Sequence, residues 1–199
     1  MLELGPAEET EVVLAFLKAE VEASRHGQAL QHWLARSGST REELIDNADL
    51  ADMTQNHVRR SILQNYRGFQ ANQFLFTGFP EDAAWRRVEI EPHEICRLRY
   101  AKYKDWVVFS GGTRKPSDLV AKMARDQIPF EDAKRFRAIQ DAIARGKQFP
   151  ELIAAEGQNG ELILIEGHSR ATAYVACCFA KNVKMFLASS PSMHGWVFY

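Results

Sequence analysis

A mixed α+β fold, helical in its first third and alternating between strands and helices thereafter, is predicted by three features of the sequence. Apolar residues recur at helical spacing through the first 67 residues, strand-like runs begin only near residue 80, and a glycine turn joins a late apolar strand to a helix. From Pro6 to about Ser24, the residues Val12, Val13, Phe16, Leu17 and Val21 share a helical face, with Pro6 suited to the first turn and Gly27 to a stop. Leu30, Trp33 and Leu34 predict a second helix ending near Gly38. Thr40-Arg41-Glu42-Glu43 then has the form of a capping box that opens a third, short helix. A further helix, Thr54 to about Arg67, turns Val58, Ile62 and Leu63 toward a core.

The stretch from Gly68 to Pro80 has no clear period: Phe69, Phe74, Phe76 and Phe79 are irregularly spaced, and Gly78 and Pro80 interrupt them. It is taken as a boundary between a helical segment, 1–79, and a second domain, 80–199. In that domain Trp85, Val88 and Ile90, and later Trp106-Val107-Val108-Phe109, read as strands. Pro116-Ser117-Asp118 opens a helix, and another from Glu131 places Phe136, Ile139, Ala142 and Ile143 on one face and stops at Gly146. Leu152 to Ala155, a turn at Gly157 to Gly160, and Leu162 to Ile165 form a hairpin. Ala171, Tyr174, Val175 and Cys178 suit a helix, and Val183 to Leu187 a final strand.

With 46% apolar and 26% charged residues, disordered and fibrous classes are poor fits. The 25 basic and 26 acidic side chains nearly cancel, which argues against a broad nucleic-acid or anionic-membrane surface. No apolar run approaches the roughly 20 residues that cross a bilayer. The acidic start MLELGPAEETE differs from the basic start of a signal peptide, so a cytoplasmic protein without membrane contact is expected. Cys177 and Cys178 are adjacent and Cys96 is distant, a pattern of neither a disulfide framework nor a metal motif; reduced, buried thiols are expected. His26, His32, His57, His93 and His194 show no paired metal-ligand spacing. The apolar end Trp196-Val197-Phe198-Tyr199 is expected to dock on the body or on a partner.

The most informative segment is Glu166-Gly167-His168-Ser169-Arg170, where an apolar strand runs straight into a helix. Glycine lets backbone approach a ligand, the helix start presents amides with a favourable dipole, and Arg170 offers a forked cationic donor, all of which suit phosphate. Each side chain also has a structural reading: His168 as a hydrogen-bonded residue near the helix cap, Glu166 as a solvated strand end, Ser169 as a first-turn residue. A second anion cradle is offered by Gly111, Gly112, Thr113 and Arg114, which lacks the Gly-Lys-Ser/Thr ending of a P-loop and reads equally as a turn before Pro116. Arg97, Arg99 and Trp106, with Tyr100 and Tyr103 between them, suit stacking or an acidic substrate, or else a solvated helix face over buried aromatics.

From about Arg135 to Ala180 the order of helix, Gly146, Phe149-Pro150, strand, turn, strand, Glu166-to-Arg170 loop and helix resembles the core of the ParB/sulfiredoxin superfamily. Val88-Glu89-Ile90 resembles that family's opening strand, and the first 80 residues or so resemble nothing in it. The resemblance implies a small mixed sheet with helices, and a Gly-x-x-Arg loop holding nucleotide phosphates. The sulfiredoxin branch has a reactive cysteine where this chain has His168. The chromosome-partitioning branch has an acidic-basic-basic loop and further DNA-binding and dimerisation domains, for which the residues up to Tyr199 leave no room.

The loop is most similar to that of the free amino-acid kinases, acidic-Gly-His-His-Arg, with Ser169 in place of the second histidine. That similarity implies an ATP- or ADP-dependent phosphotransferase acting on a small hydroxyl-bearing metabolite. Gly167, Ser169 and Arg170 would hold phosphates, His168 would orient substrate or move a proton, and Glu166 would bind Mg²⁺. A distant carboxylate would assist, with Glu94 and Asp105 as candidates. The alternative is a noncatalytic nucleotide-responsive module whose N-terminal helices and apolar tail engage a protein partner or a second copy; DNA binding ranks last.

Overall fold

The computed structural model describes residues 1–23 and 27–199. Ser24, Arg25 and His26, and with them the expected helix end near Ser24, lie outside the described residues. The chain opens on a strand, β1 (Leu2–Pro6), so Pro6 closes a strand instead of starting a helix. The first helix, α1 (Glu9–Val21), is fixed by Glu8, whose backbone N–H donates to the Glu11 carboxylate at 2.8 Å. Gly27 does not stop that helix but begins the next, α2 (Gly27–Ser37), and a Cβ there would meet the Val21 carbonyl oxygen at 2.9 Å. The Thr40 box forms: the Thr40 amide donates to the Glu43 carboxylate at 2.9 Å, and the Glu43 amide donates to Thr40 Oγ1 at 3.2 Å. It opens one π-helical turn, Glu42–Asp46. Helix α3 (Met53–Arg67), capped by the Asp52 carboxylate, buries Ile62 and Leu63.

The remainder runs β2 (Ala84–Ile90), β3 (Leu98–Tyr100), α4 (Lys104–Phe109), α5 (Pro116–Met123), α6 (Phe130–Ala144), β4 (Leu152–Glu156), β5 (Leu162–Glu166), α7 (His168–Ala176) and β6 (Val183–Ser189). Trp106 to Phe109 is thus helical, against the strand expected from its β-branched pair. Trp106 is buried while Val108 is 61% exposed, and the Ser110 amide reaches back to the Trp106 carbonyl at 3.1 Å. The opposite correction applies upstream, where Leu98, Arg99 and Tyr100 form a strand of three residues and not a helix face. Cys178 lies past the end of α7, and all three cysteines are exposed, not buried, because they sit on a turn before β3 and at the end of α7.

Among the described residues the strands form one mixed six-stranded sheet in the order β1-β2-β6-β4-β5-β3. The last strand enters the centre of the sheet, antiparallel to β2 and parallel to β4. Alternation along the strands sends Ile153, Ala155, Ile163 and Ile165 into a core shared with α1, α2 and α3. It sends Leu152, Ala154, Leu162 and Leu164 into a second core with Trp106, Leu119, Phe136 and Tyr174 of α4 to α7. The mixed α+β expectation is therefore met as a sheet with helices on both faces. Residues 1–79 give β1 to the sheet, paired with β2, and otherwise meet 80–199 along the first of these apolar layers.

The segment from Gly68 to Pro80 is packed by its aromatics: Phe79 lies 5.3 Å from Phe76 and 5.6 Å from Trp196, ring centre to ring centre. The apolar end docks as expected. The Trp196 indole donates to the Leu75 carbonyl at 2.7 Å, and the Val197 amide to the Thr77 carbonyl at 3.0 Å. No helix among the described residues is long and apolar enough to cross a membrane.

Candidate functional site

Strands β3 and β5 are adjacent and parallel, so their carboxyl ends open on the same edge of the sheet, a position where loops commonly form ligand crevices. The chain leaves β5 through Gly167, whose φ of +103° is closed to most side chains. A Cβ there would lie 2.3 Å from Leu152 Cδ2 and 3.2 Å from an Arg170 guanidinium nitrogen. Gly167→Ala is therefore expected to cost about 2–4 kcal/mol through strain and overpacking. Urea unfolding checks this, and a loss under ~0.5 kcal/mol would show a looser turn. Helix α7 starts at once, and its leading amides have no carbonyl one turn back to bond.

Arg170 is 6% exposed and turns back under the loop, donating to the Pro150 carbonyl, to the Glu151 carbonyl at 3.0 Å and to Glu166 Oε1 at 3.2 Å. It braces the turn. His168 is also buried, against Tyr100, Tyr103 and Trp106, with the Trp106 ring centre 5.1 Å away and nearly parallel. Its Nε2 accepts the Ala101 amide at 3.3 Å, which leaves the ring proton on Nδ1. Burial, together with the nearby Arg67 and Arg170 charges, pushes its pKa down to about 3. This imidazole is neutral and wedged in place, which suits the first of the two roles expected of it, orienting, better than the second, moving a proton. Thr172 adds a strut, its hydroxyl donating to the His168 carbonyl at 2.9 Å and accepting from the Tyr100 hydroxyl at 2.6 Å.

The other wall comes from the N-terminal helices. Glu20 of α1, 1% exposed, is ion-paired with Arg67 of α3 and accepts from the Tyr66 hydroxyl at 3.2 Å. Burial raises its pKa to about 7, the Glu166 charge adds to the rise, and Arg67 and Tyr66 work against it. Burial likewise lifts the phenols of Tyr66 and Tyr103, each of which feels the charges of Glu20, Glu166 and Arg67. Two carboxylates, two guanidiniums, two phenols and one imidazole thus share a single electrostatic neighbourhood at the ends of β3 and β5. Glu20 and Tyr66 are missed by the sequence reading, Arg67 enters it only as a helix end, and Tyr103 only as one of the aromatics between Arg97 and Trp106. The signal was present for two of them: Glu20 stands four residues after Phe16 on the buried face of α1, and Arg67 four after Leu63.

Other sequence candidates lie elsewhere. Trp106 joins the crevice through His168, but Arg97 binds Glu94 at 2.7 Å and the Gly160 carbonyl at 2.6 Å, and Arg99 binds Glu161 at 2.9 Å. Glu94 is buried in its pair with Arg97, and Asp105 is exposed in the first turn of α4. In the second glycine loop the Gly111 and Gly112 amides are taken by the Val108 and Val107 carbonyls, Thr113 Oγ1 donates to the Ser110 carbonyl, and Arg114 donates to Tyr199. Those donors are spent on the loop and on the chain end, while the Arg114 carbonyl accepts the Tyr100 amide at 2.8 Å and so ties this loop to the end of β3.

The residues around Glu166 do not fit a resident Mg²⁺. Arg170 holds its Oε1, and Arg67 neutralises the second carboxylate, Glu20. A groove of about 530 Å³ lies at the opposite end of α7, lined by Ile95, Cys96, Tyr174, Cys178 and Phe179 among others, and not at the crevice. The perturbed, mutually charged groups single out the cluster at the ends of β3 and β5 as the candidate site, since catalytic and binding sites concentrate such groups. No family model, curated protein or solved structure matches the chain.

Proposed function

We propose that the crevice binds the phosphates of ATP or ADP at the N-terminus of α7 and passes a phosphoryl group to a small hydroxyl-bearing metabolite. The observation that carries this reading is the placement of Glu20, a buried carboxyl paired with Arg67 and Tyr66 and feeling the Glu166 charge, near the strand end that leads into the glycine turn of α7. Phosphoryl transfer asks chiefly for positioning and charge neutralisation. The α7 amides and Ser169 supply the first, Arg67 the second, and Glu20 takes the acceptor's proton at a pKa suited to general-base work. Gly167, His168 and Arg170 hold the turn in shape. Within the ParB/sulfiredoxin-like reading of residues 135–180, the N-terminal helices complete a site that the resemblance alone leaves half-built.

A second reading, a noncatalytic nucleotide-responsive module, draws support from the pairing of each cation with a carboxylate, Arg67 with Glu20 and Arg170 with Glu166. Phosphate entering such a set would loosen α1 and α3 from the loop and so signal to a partner. Ser169→Asp separates nucleotide binding from folding. A carboxylate in the first turn repels phosphate, yet it suits the helix dipole, by about 0.3–1 kcal/mol. Calorimetric titration with ATP, ADP, CTP and GTP is expected to give saturable heat with the unaltered chain and none with Ser169→Asp at equal thermal stability. Equal affinity in both proteins would remove the α7 phosphate site.

A further inference from the structure

We infer that the groove between α2 and α3 binds a small aromatic carboxylate, its ring against Trp33 and its charge between Arg36 and His57. The two helices enclose about 310 Å³ there, at the lower end of the range for ligand pockets. The apolar part of the lining comes from Trp33 and Val58, both half-buried, and from Ile62, which is buried. The charge of the lining is of one sign: Arg36 and His57 contribute to it, and among the described residues no Asp or Glu does. The Arg36 guanidinium carbon lies 5.2 Å from the centre of the Trp33 ring, and among the described residues Arg36 has no carboxylate partner. Arg60, which shares α3 with His57, is by contrast held by Glu9 at 2.8 Å.

The remaining polar groups sort in the same direction. Ser37 spends its hydroxyl proton on the Leu34 carbonyl at 2.7 Å, and the Asn65 amide donates to the Ser61 carbonyl at 2.7 Å. The Arg36 guanidinium stays available as a forked donor at the mouth of the groove, with the His57 imidazole across from it on α3. A guanidinium fork matches a carboxylate in shape and charge, and one fixed positive charge balances a monoanion but leaves half of a phosphate dianion uncompensated. The indole beside it selects for a ring on that anion, since stacked aromatic pairs gain beyond the area they bury. This groove is separate from the crevice although both use α3: Tyr66 and Arg67 turn to Glu20 of α1, and the groove faces α2. It stands independently of the phosphate reading.

Trp33 supplies the reporter. The indole and amide signals of the full chain are followed by nitrogen–proton correlation spectra during titration with indoleacetate, with tryptamine, which carries the same ring and the opposite charge, and with acetate, the anion without the ring. Saturable shifts at the Trp33 indole and along residues 57–62 are expected with indoleacetate, and binding at least about tenfold weaker with the other two. Arg36→Gln, at an exposed position, should weaken indoleacetate about tenfold with an unfolding midpoint within a few degrees of the parent. Arg36→Glu should turn the preference toward tryptamine. Equal affinity for tryptamine or acetate, shifts centred on the crevice or on the groove lined by Phe179, or no saturation would overturn the proposal.

Discussion

Glu20→Gln is expected to lower ATP turnover by about 100-fold or more while leaving the ATP dissociation constant within a few-fold of its original value. Glutamine preserves the shape of Glu20 and can still accept from Tyr66 and Arg67, but it cannot take the proton of the acceptor hydroxyl. The reading is the rate of ADP formation, with water as acceptor and with a panel of small alcohols, against pH. The unaltered protein should lose rate as pH falls through about 7, where the Glu20 carboxyl becomes protonated. The variant should lack that acidic limb, and Glu20→Asp should recover part of the rate. A variant that keeps its rate while the parent turns over ATP would remove Glu20 from the chemistry. A parent that binds ATP without turning it over would instead favour the noncatalytic module.

The same carboxyl and the neighbouring imidazole are expected to give an unusual dependence of stability on pH. The Glu20 pKa is raised from 4.5 to about 7 on folding. Its contribution is therefore full below pH 4.5 and lost as pH rises through about 7, a swing of ~3 kcal/mol. The His168 pKa is lowered from 6.5 to about 3. Its contribution is full above pH 6.5 and lost as pH falls toward 3, a swing of ~5 kcal/mol. Between pH 7 and 4.5 the two nearly cancel, so urea unfolding should give a flat profile there and a steep fall below. Glu20→Gln removes one side of the balance, and its stability should decline steadily from pH 6.5 downward. Parallel profiles for parent and variant would contradict the assignment of these two groups.

Much of this arrangement was legible in the chain itself, for reasons that can be named. The long amphipathic stretches, the Thr40 capping box and the hairpin from Leu152 to Ile165 are local patterns, and each appears where its residues predict it. The failures come where tertiary contacts outvote local preference. Val107 and Val108 favour a strand, but burying Trp106 against Tyr100 and His168 requires a helical turn. β3 has only three residues and owes its existence to β5 beside it, and β1 is an edge strand whose exposed Leu2 and Leu4 carry no burial signal.

The site divides along the same line. The loop from Glu166 to Arg170 is contiguous and could be read directly, although the roles of His168 and Arg170 turned on burial that no spacing reveals. Glu20, Tyr66 and Arg67 meet that loop only because α1 and α3 cover one face of the sheet, across 100 residues or more of chain. A charged residue on an apolar helical face was the available clue. It marks a buried charge without naming the partner that stabilises it.

Hydrogen–deuterium exchange of the full chain with and without ATP tests the location of the crevice most directly. The account predicts slowed exchange at residues 163–172, with a weaker effect at the ends of α1 and α3 around Glu20 and Arg67, and no change around the groove lined by Ile95 and Phe179. Protection confined to that groove, or to the loop from Gly111 to Arg114, would contradict it.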